Sequence, residues 1–180
     1  MNKIFPVILI VLLSVISYSI FKEITKSSKI KRLECQSHTT TYEKIFIKNN
    51  IKDAIKSLES NNYEIISEIK FSKFMKSHLV EILSKEQSDE ILKKVIQKYI
   101  DKDLSTNKKV LIDYYIYEND KEDSGKKNDK AKLYAGYLVF EFKYEDKLVY
   151  KIQTDYMNID ANDVEERMNC VINSFISLKN

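Results

Sequence analysis

Glycine occurs twice in 180 residues, as Gly125 and Gly136, and proline once, as Pro6. A loop that cradles phosphate through its amides needs several closely spaced glycines, so nucleotide binding of that kind is excluded. Histidine is equally scarce, at His38 and His78. Cys35 and His38 form C-x-x-H, but a zinc site takes four ligands at recognisable spacing and no second pair is present. His78 and Glu81 stand three residues apart on a predicted helix, whereas carboxylate-bridged metal sites need two such pairs plus further acids. Asp101-x-Asp103-x-Ser105 opens like a calcium loop, yet Thr106 stands where glycine is needed and Ile112 where a bidentate glutamate belongs. No Gly-x-Ser-x-Gly element or Ser/His/Asp set can be assembled. The residues specify no cofactor, no metal and no catalytic set, and the expectation is a non-catalytic protein.

Cysteine is the last of the rare residues, and its two copies, Cys35 and Cys170, bracket the chain after its first segment. An even count at both ends of one domain is the pattern of a disulfide clasp in an oxidising compartment. Cys170 falls about 120° from Val164 on a predicted helix, off the apolar stripe of Val164, Met168, Val171, Ile172 and Phe175. A cysteine off the stripe is exposed or bonded to something crossing the outside of the helix. Cys35 is the one partner available. The competing reading is two free thiols in a cytoplasmic protein.

What the chain has in plenty begins with Ile4–Phe21, an uncharged and almost wholly apolar run of 18 residues. As a helix it would extend roughly 27 Å, close to a hydrocarbon core of about 30 Å. The domain organisation expected is a signal-anchor or signal peptide at 1–21, a basic juxtamembrane stem at 22–34, and a single domain at 35–180. Ser17 and Ser19 supply small residues for cleavage after Ser19, although Ile20 and Phe21 continue the apolar run. Lys22, Lys26, Lys29, Lys31 and Arg32 follow the run against Glu23 alone. Counted literally they draw the domain into the cytoplasm. The chain is lysine-rich throughout and its short N-terminal tail carries Lys3, so the expectation is a single pass of the cytoplasmic membrane with the domain periplasmic or extracellular. The chain's net charge is +3. Lys3 contributes one charge and residues 22–32 four, which leaves residues 33–180 at −2. A domain without net positive charge does not offer the basic face that nucleic acid requires.

Periodicity predicts the elements of that domain. Thr39–Lys48 reads as a strand. Asn49-Asn50 would cap a helix over Ile51–Ser60, with Ile51, Ala54, Ile55 and Leu58 as its stripe and Asn61-Asn62 as its stop. Tyr63–Phe71 is a second strand. Phe74–Leu83 and Asp89–Lys102 read as helices, the latter capped by Ser88. From Val110 the period falls to two: Val110–Tyr117, Leu133–Tyr144 and Leu148–Tyr156 are strands, the last two joined by a tight turn at Glu145-Asp146-Lys147. Asp160 would cap a final helix over Ala161–Leu178. The fold class expected is α+β, an antiparallel sheet of about five strands with helices packed on one face, preceded by one N-terminal membrane helix.

Tyrosine is the one enriched residue type, with 12 copies, many on the C-terminal strands. Strands favour tyrosine for its own sake; a sharper reading is a binding face, since tyrosine offers apolar area and a polar tip together. Tyr114, Tyr137 and Tyr150 are the candidate partner-binding residues. The function expected is a membrane-anchored, non-catalytic domain of a bacterial envelope that binds a protein partner or supports an envelope assembly. The alternatives are a small envelope hydrolase or thiol enzyme built on Cys35 and His38, and a cytoplasm-facing tether whose basic stem binds acidic lipid.

Overall fold

The computed structural model describes residues 32–125 and 133–179. The expected membrane segment at 1–21 and nearly all of the stem lie outside the described residues, among which no helix is long and apolar enough to cross a membrane. Leu33–Asn180 forms one compact unit. Its elements run β1 (Thr40–Ile45), α1 (Lys48–Glu59), β2 (Tyr63–Lys70), a single helical turn α2 (Leu79–Ile82), α3 (Lys85–Gln97), β3 (Val110–Glu118), β4 (Gly136–Tyr144), β5 (Lys147–Tyr156) and α4 (Val164–Ile176).

The fold is α+β, and the five strands lie in the order β1-β5-β4-β3-β2. The expected all-antiparallel sheet is corrected to a mixed one, because β2 pairs with β3 in parallel from Tyr63↔Val110 to Lys70↔Tyr117. A two-residue turn can join only antiparallel neighbours, whereas the long β2–β3 connection carrying α2 and α3 permits a crossover. The β4–β5 hairpin is tight, with Glu145 (φ 51°) and Asp146 (φ 60°) both left-handed, as its twist favours. Asn61 (φ 59°) ends α1 as expected.

Alternation assigns the two faces. Val110, Ile112, Tyr114 and Ile116 of β3 and Leu138, Phe140 and Phe142 of β4 are buried beneath the helices. α1 lies across β3, β4 and β5, α3 packs on β2 and α4, and α4 packs on β5. Phe175 of α4 stacks on Phe142 with centroids 4.1 Å apart, and Tyr150 joins them at 5.7 Å from Phe142.

Three helix expectations are corrected. α1 begins at Lys48 after Ile47, which bears no side-chain cap; Asn49 and Asn50 are within its first turn. α3 begins at Lys85, because Ser84 and Gln87 form a reciprocal capping box that outcompetes Ser88; Ser88 is buried and donates to or accepts from the Tyr114 hydroxyl at 2.8 Å. α4 begins at Val164, because Ala161 is left-handed (φ 55°) and cannot continue a helix from Asp160.

The largest departure is Phe74–Leu83, expected as a helix and found as an irregular loop ending in α2. Two carboxylates at the end of β3 take the amides a helix would need. Glu118 accepts from the backbone of Ser72 (2.9 Å), His78 (2.7 Å) and Leu79 (3.1 Å), and from the Ser72 hydroxyl (3.0 Å). Asp120 accepts from the backbone of Lys73 (2.6 Å), Phe74 (2.7 Å) and Met75 (3.2 Å). Both acids are nearly inaccessible. Burial works against their charge, and the ring of backbone donors overcomes it, so both carboxyls lie below the ordinary carboxylate range.

Candidate functional site

Cys35 and Cys170 are disulfide-bonded, with Cα atoms 5.8 Å apart and 135 residues between them. Closing so long a loop stabilises the fold by about 5 kcal/mol in the chain-entropy model. The expected geometry holds. Cys35 sits in a short 3₁₀ turn, Glu34–Gln36, laid along α4, and Gln36 is fully buried with its side-chain amide on the Ser174 hydroxyl at 2.9 Å. Beside the disulfide is an open hollow of about 750 Å³ whose lining includes His38, Arg167 and Asn173. With its sulfur bonded to Cys170, Cys35 presents no thiolate to act as a nucleophile. Arg167 is held by Asp163 and Glu166, each at 3.3 Å.

The three candidate tyrosines are not brought together. Tyr114 and Tyr150 point into the core, at 1% and 0% exposure. Tyr114 stacks on Phe140 at 4.8 Å and donates to Asp89 at 2.7 Å; burial pushes its phenol well above the usual tyrosine range. The Tyr150 hydroxyl donates to Glu43. These two hold helix and edge strand to the sheet. Tyr137 stands on the opposite face, half-buried.

That opposite face is the candidate site. No element among the described residues covers it, and register places a set of tyrosines there that the sequence reading did not select. Tyr117 is opposite Tyr137, and Tyr115 is opposite Val139. The Tyr117 and Tyr137 rings stack at 4.9 Å, Tyr115 meets Tyr137 edge-on at 6.3 Å, and the Lys70 ammonium sits 4.2 Å from the Tyr115 ring centre. Burial, then the neighbouring phenols, push the Tyr137 hydroxyl up to about 12. Towards the β4–β5 turn the face becomes ionic: Lys143 bonds Asp113 at 2.6 Å and Glu141 at 3.3 Å, and Lys151 bonds Glu141 at 2.7 Å. Ile66 on β2 and Tyr42 on β1 are exposed at its margins. A signal for the missed residues was present: Tyr115 and Tyr117 alternate with Ile112, Tyr114 and Ile116 and share parity with Asp113.

Gly136 opens β4 against the backbone oxygen of Tyr117 and the ring of Tyr156, where a Cβ would collide with both. The missing side chain lets β4 close against β3 at the tyrosine cluster.

Comparison with protein-family models, curated proteins and solved structures finds no match for this chain.

Proposed function

We propose that this is a membrane-anchored, non-catalytic binding module of a bacterial envelope, whose domain lies outside the cytoplasmic membrane and holds a protein partner on the open sheet face. The observation that carries the reading is the cluster of Tyr115, Tyr117 and Tyr137, covered by no element among the described residues, with Tyr137 stacked on Tyr117 and edge-on to Tyr115 beside the ion pairs of Asp113, Glu141, Lys143 and Lys151. Rigid aromatic area next to a polar border is the composition of a protein-binding surface. The disulfide supports an oxidising compartment, and the apolar run Ile4–Phe21 supports attachment to the membrane.

The test is site-specific photocrosslinking in the cells that make the protein, with a photoreactive phenylalanine at Tyr137 and, as control, at the exposed Lys52 on α1. The expected result is one discrete heterologous adduct from position 137, none from 52, and loss of the adduct on Tyr117→Ala at unchanged protein level. Equal labelling from both positions, or adducts of the chain with itself alone, overturns the partner reading. Maleimide labelling of intact cells separately checks the compartment: Cys35 and Cys170 should react only after reduction. Reaction without reductant, once cells are made permeable, would put the domain in the cytoplasm.

A further inference from the structure

One end of the sheet gathers exposed apolar side chains. β2 and β3 finish there, β4 and β1 start there, and β5 finishes there, as the register pairs Lys70↔Tyr117, Glu118↔Gly136, Gly136↔Tyr156 and Thr40↔Thr154 require. The loops at that end carry Phe71 and Phe74 after β2, Leu133 before β4, and Met157 and Ile159 after β5. Phe74 is 65% exposed, Leu133 72% and Ile159 51%. The loops are contiguous: Asp120 binds the backbone of Lys73–Met75, Asn119 binds Ala135 and Tyr134, and Lys121 borders a hollow with Met157 and Ile159.

Holding large apolar groups in water on ordered backbone is costly, and this loop is ordered by six amide hydrogen bonds to Glu118 and Asp120. The same bonds turn two acids inward, and Lys73 and Lys76 are exposed on either side of Phe74 and Met75, Lys76 paired with Glu81 at 3.7 Å. Aromatic and branched residues flanked by lysines match the headgroup–acyl boundary of a bilayer. Glu122, Asp123 and Asp160 lie on the adjoining loops, so net charge at this end is small and apolar insertion carries the contact. The 31 residues ahead of Arg32 include the apolar run and a short stem; a chain anchored through that run keeps the domain within roughly 40 Å of lipid.

We infer that this loop end is a second membrane contact, in which Phe74, Leu133 and Ile159 enter the interfacial zone of the bilayer. The inference rests on the membrane attachment proposed above. The chain contains no tryptophan, so Phe74→Trp, Ile159→Trp and, on the open sheet face, Ile66→Trp each install a single reporter in the full chain. Each variant is reconstituted into phosphatidylcholine vesicles with and without phosphatidylglycerol, floated, and its emission compared in plain and brominated lipid. At 74 and 159 the expected result is blue-shifted emission of which bromolipid removes roughly half, because interfacial groups sit about 5–10 Å deep. Little dependence on phosphatidylglycerol and no quenching at 66 are expected. A chain that floats while positions 74 and 159 stay unquenched overturns this inference and leaves the anchor standing; those side chains would then be free for a protein. A chain that does not float overturns both.

Discussion

Tyr114 and Tyr115 are neighbours in the chain and belong to different parts of the molecule. With Tyr150, Tyr114 lies under the helices, stacked in the core, its hydroxyl committed to a polar group on a neighbouring element. Tyr115, Tyr117 and Tyr137 face away and satisfy one another, ring against ring. A single step along a strand therefore separates a tyrosine that assembles the fold from one that is available after the fold is complete. The covered face holds its aromatics by burial, the open face by mutual contact, and the two should respond to substitution very differently.

The widest gap should appear on the covered side at Phe142→Ala, which empties the space between Phe175 and Tyr150 and should cost about 4 kcal/mol in denaturant titration. Glu118 has the same parity as Tyr114 and Ile116. Glu118→Ala leaves the Ser72, His78 and Leu79 amides without their acceptor, with an expected loss of about 3 kcal/mol and faster proteolysis within 72–79. Protonation should loosen the same loop: the folded carboxyl titrates below its unfolded value, so its contribution is present above about pH 4.3 and disappears as pH falls through the lower folded value. Hydrogen exchange of Ser72 and His78 against pH reports it.

The open face should give smaller effects. Asp113→Asn, which breaks a half-exposed ion pair with Lys143, should cost no more than about 1 kcal/mol. Tyr117→Ala should change stability least while abolishing the crosslink from position 137. Tyr137 also separates the faces in alkali. Its phenol is raised to about 12, so its contribution is complete below the unfolded value near 10 and is lost as pH rises towards 12. Ultraviolet titration should find it ionising there, with Tyr114 ionising only as the chain unfolds. An open-face substitution as damaging as Phe142→Ala would erase the distinction.

Much of this architecture was legible in the residues. Alternation located β3, β4 and β5 and separated their faces, and the off-stripe position of Cys170 pointed to its bond with Cys35. Strand direction was not legible, because alternation reports which face a residue occupies and nothing about the neighbour's polarity; hence the parallel β2–β3 pair. The helix expected at Phe74–Leu83 failed for a nonlocal reason, since the groups that claim its amides, Glu118 and Asp120, lie about 45 residues away in sequence. Enrichment points to Tyr114, Tyr137 and Tyr150, whereas parity with Asp113, Glu141 and Lys143 selects Tyr115, Tyr117 and Tyr137 together.

The Cys35–Cys170 bond also decides how the domain bears load. β1 begins a few residues after Cys35 and is an edge strand, the element most easily unzipped by a pull on the chain ahead of it. The disulfide diverts such a pull. Tension applied before Cys35 and resisted at the C-terminus passes through sulfur into α4 and leaves residues 36–169, the entire sheet included, mechanically slack. A partner gripping the open face would then draw on α4 and its aromatic stack with Phe142 and Tyr150 before it could peel a strand. Reduced protein under the same pull should extend by the length of that sheltered loop.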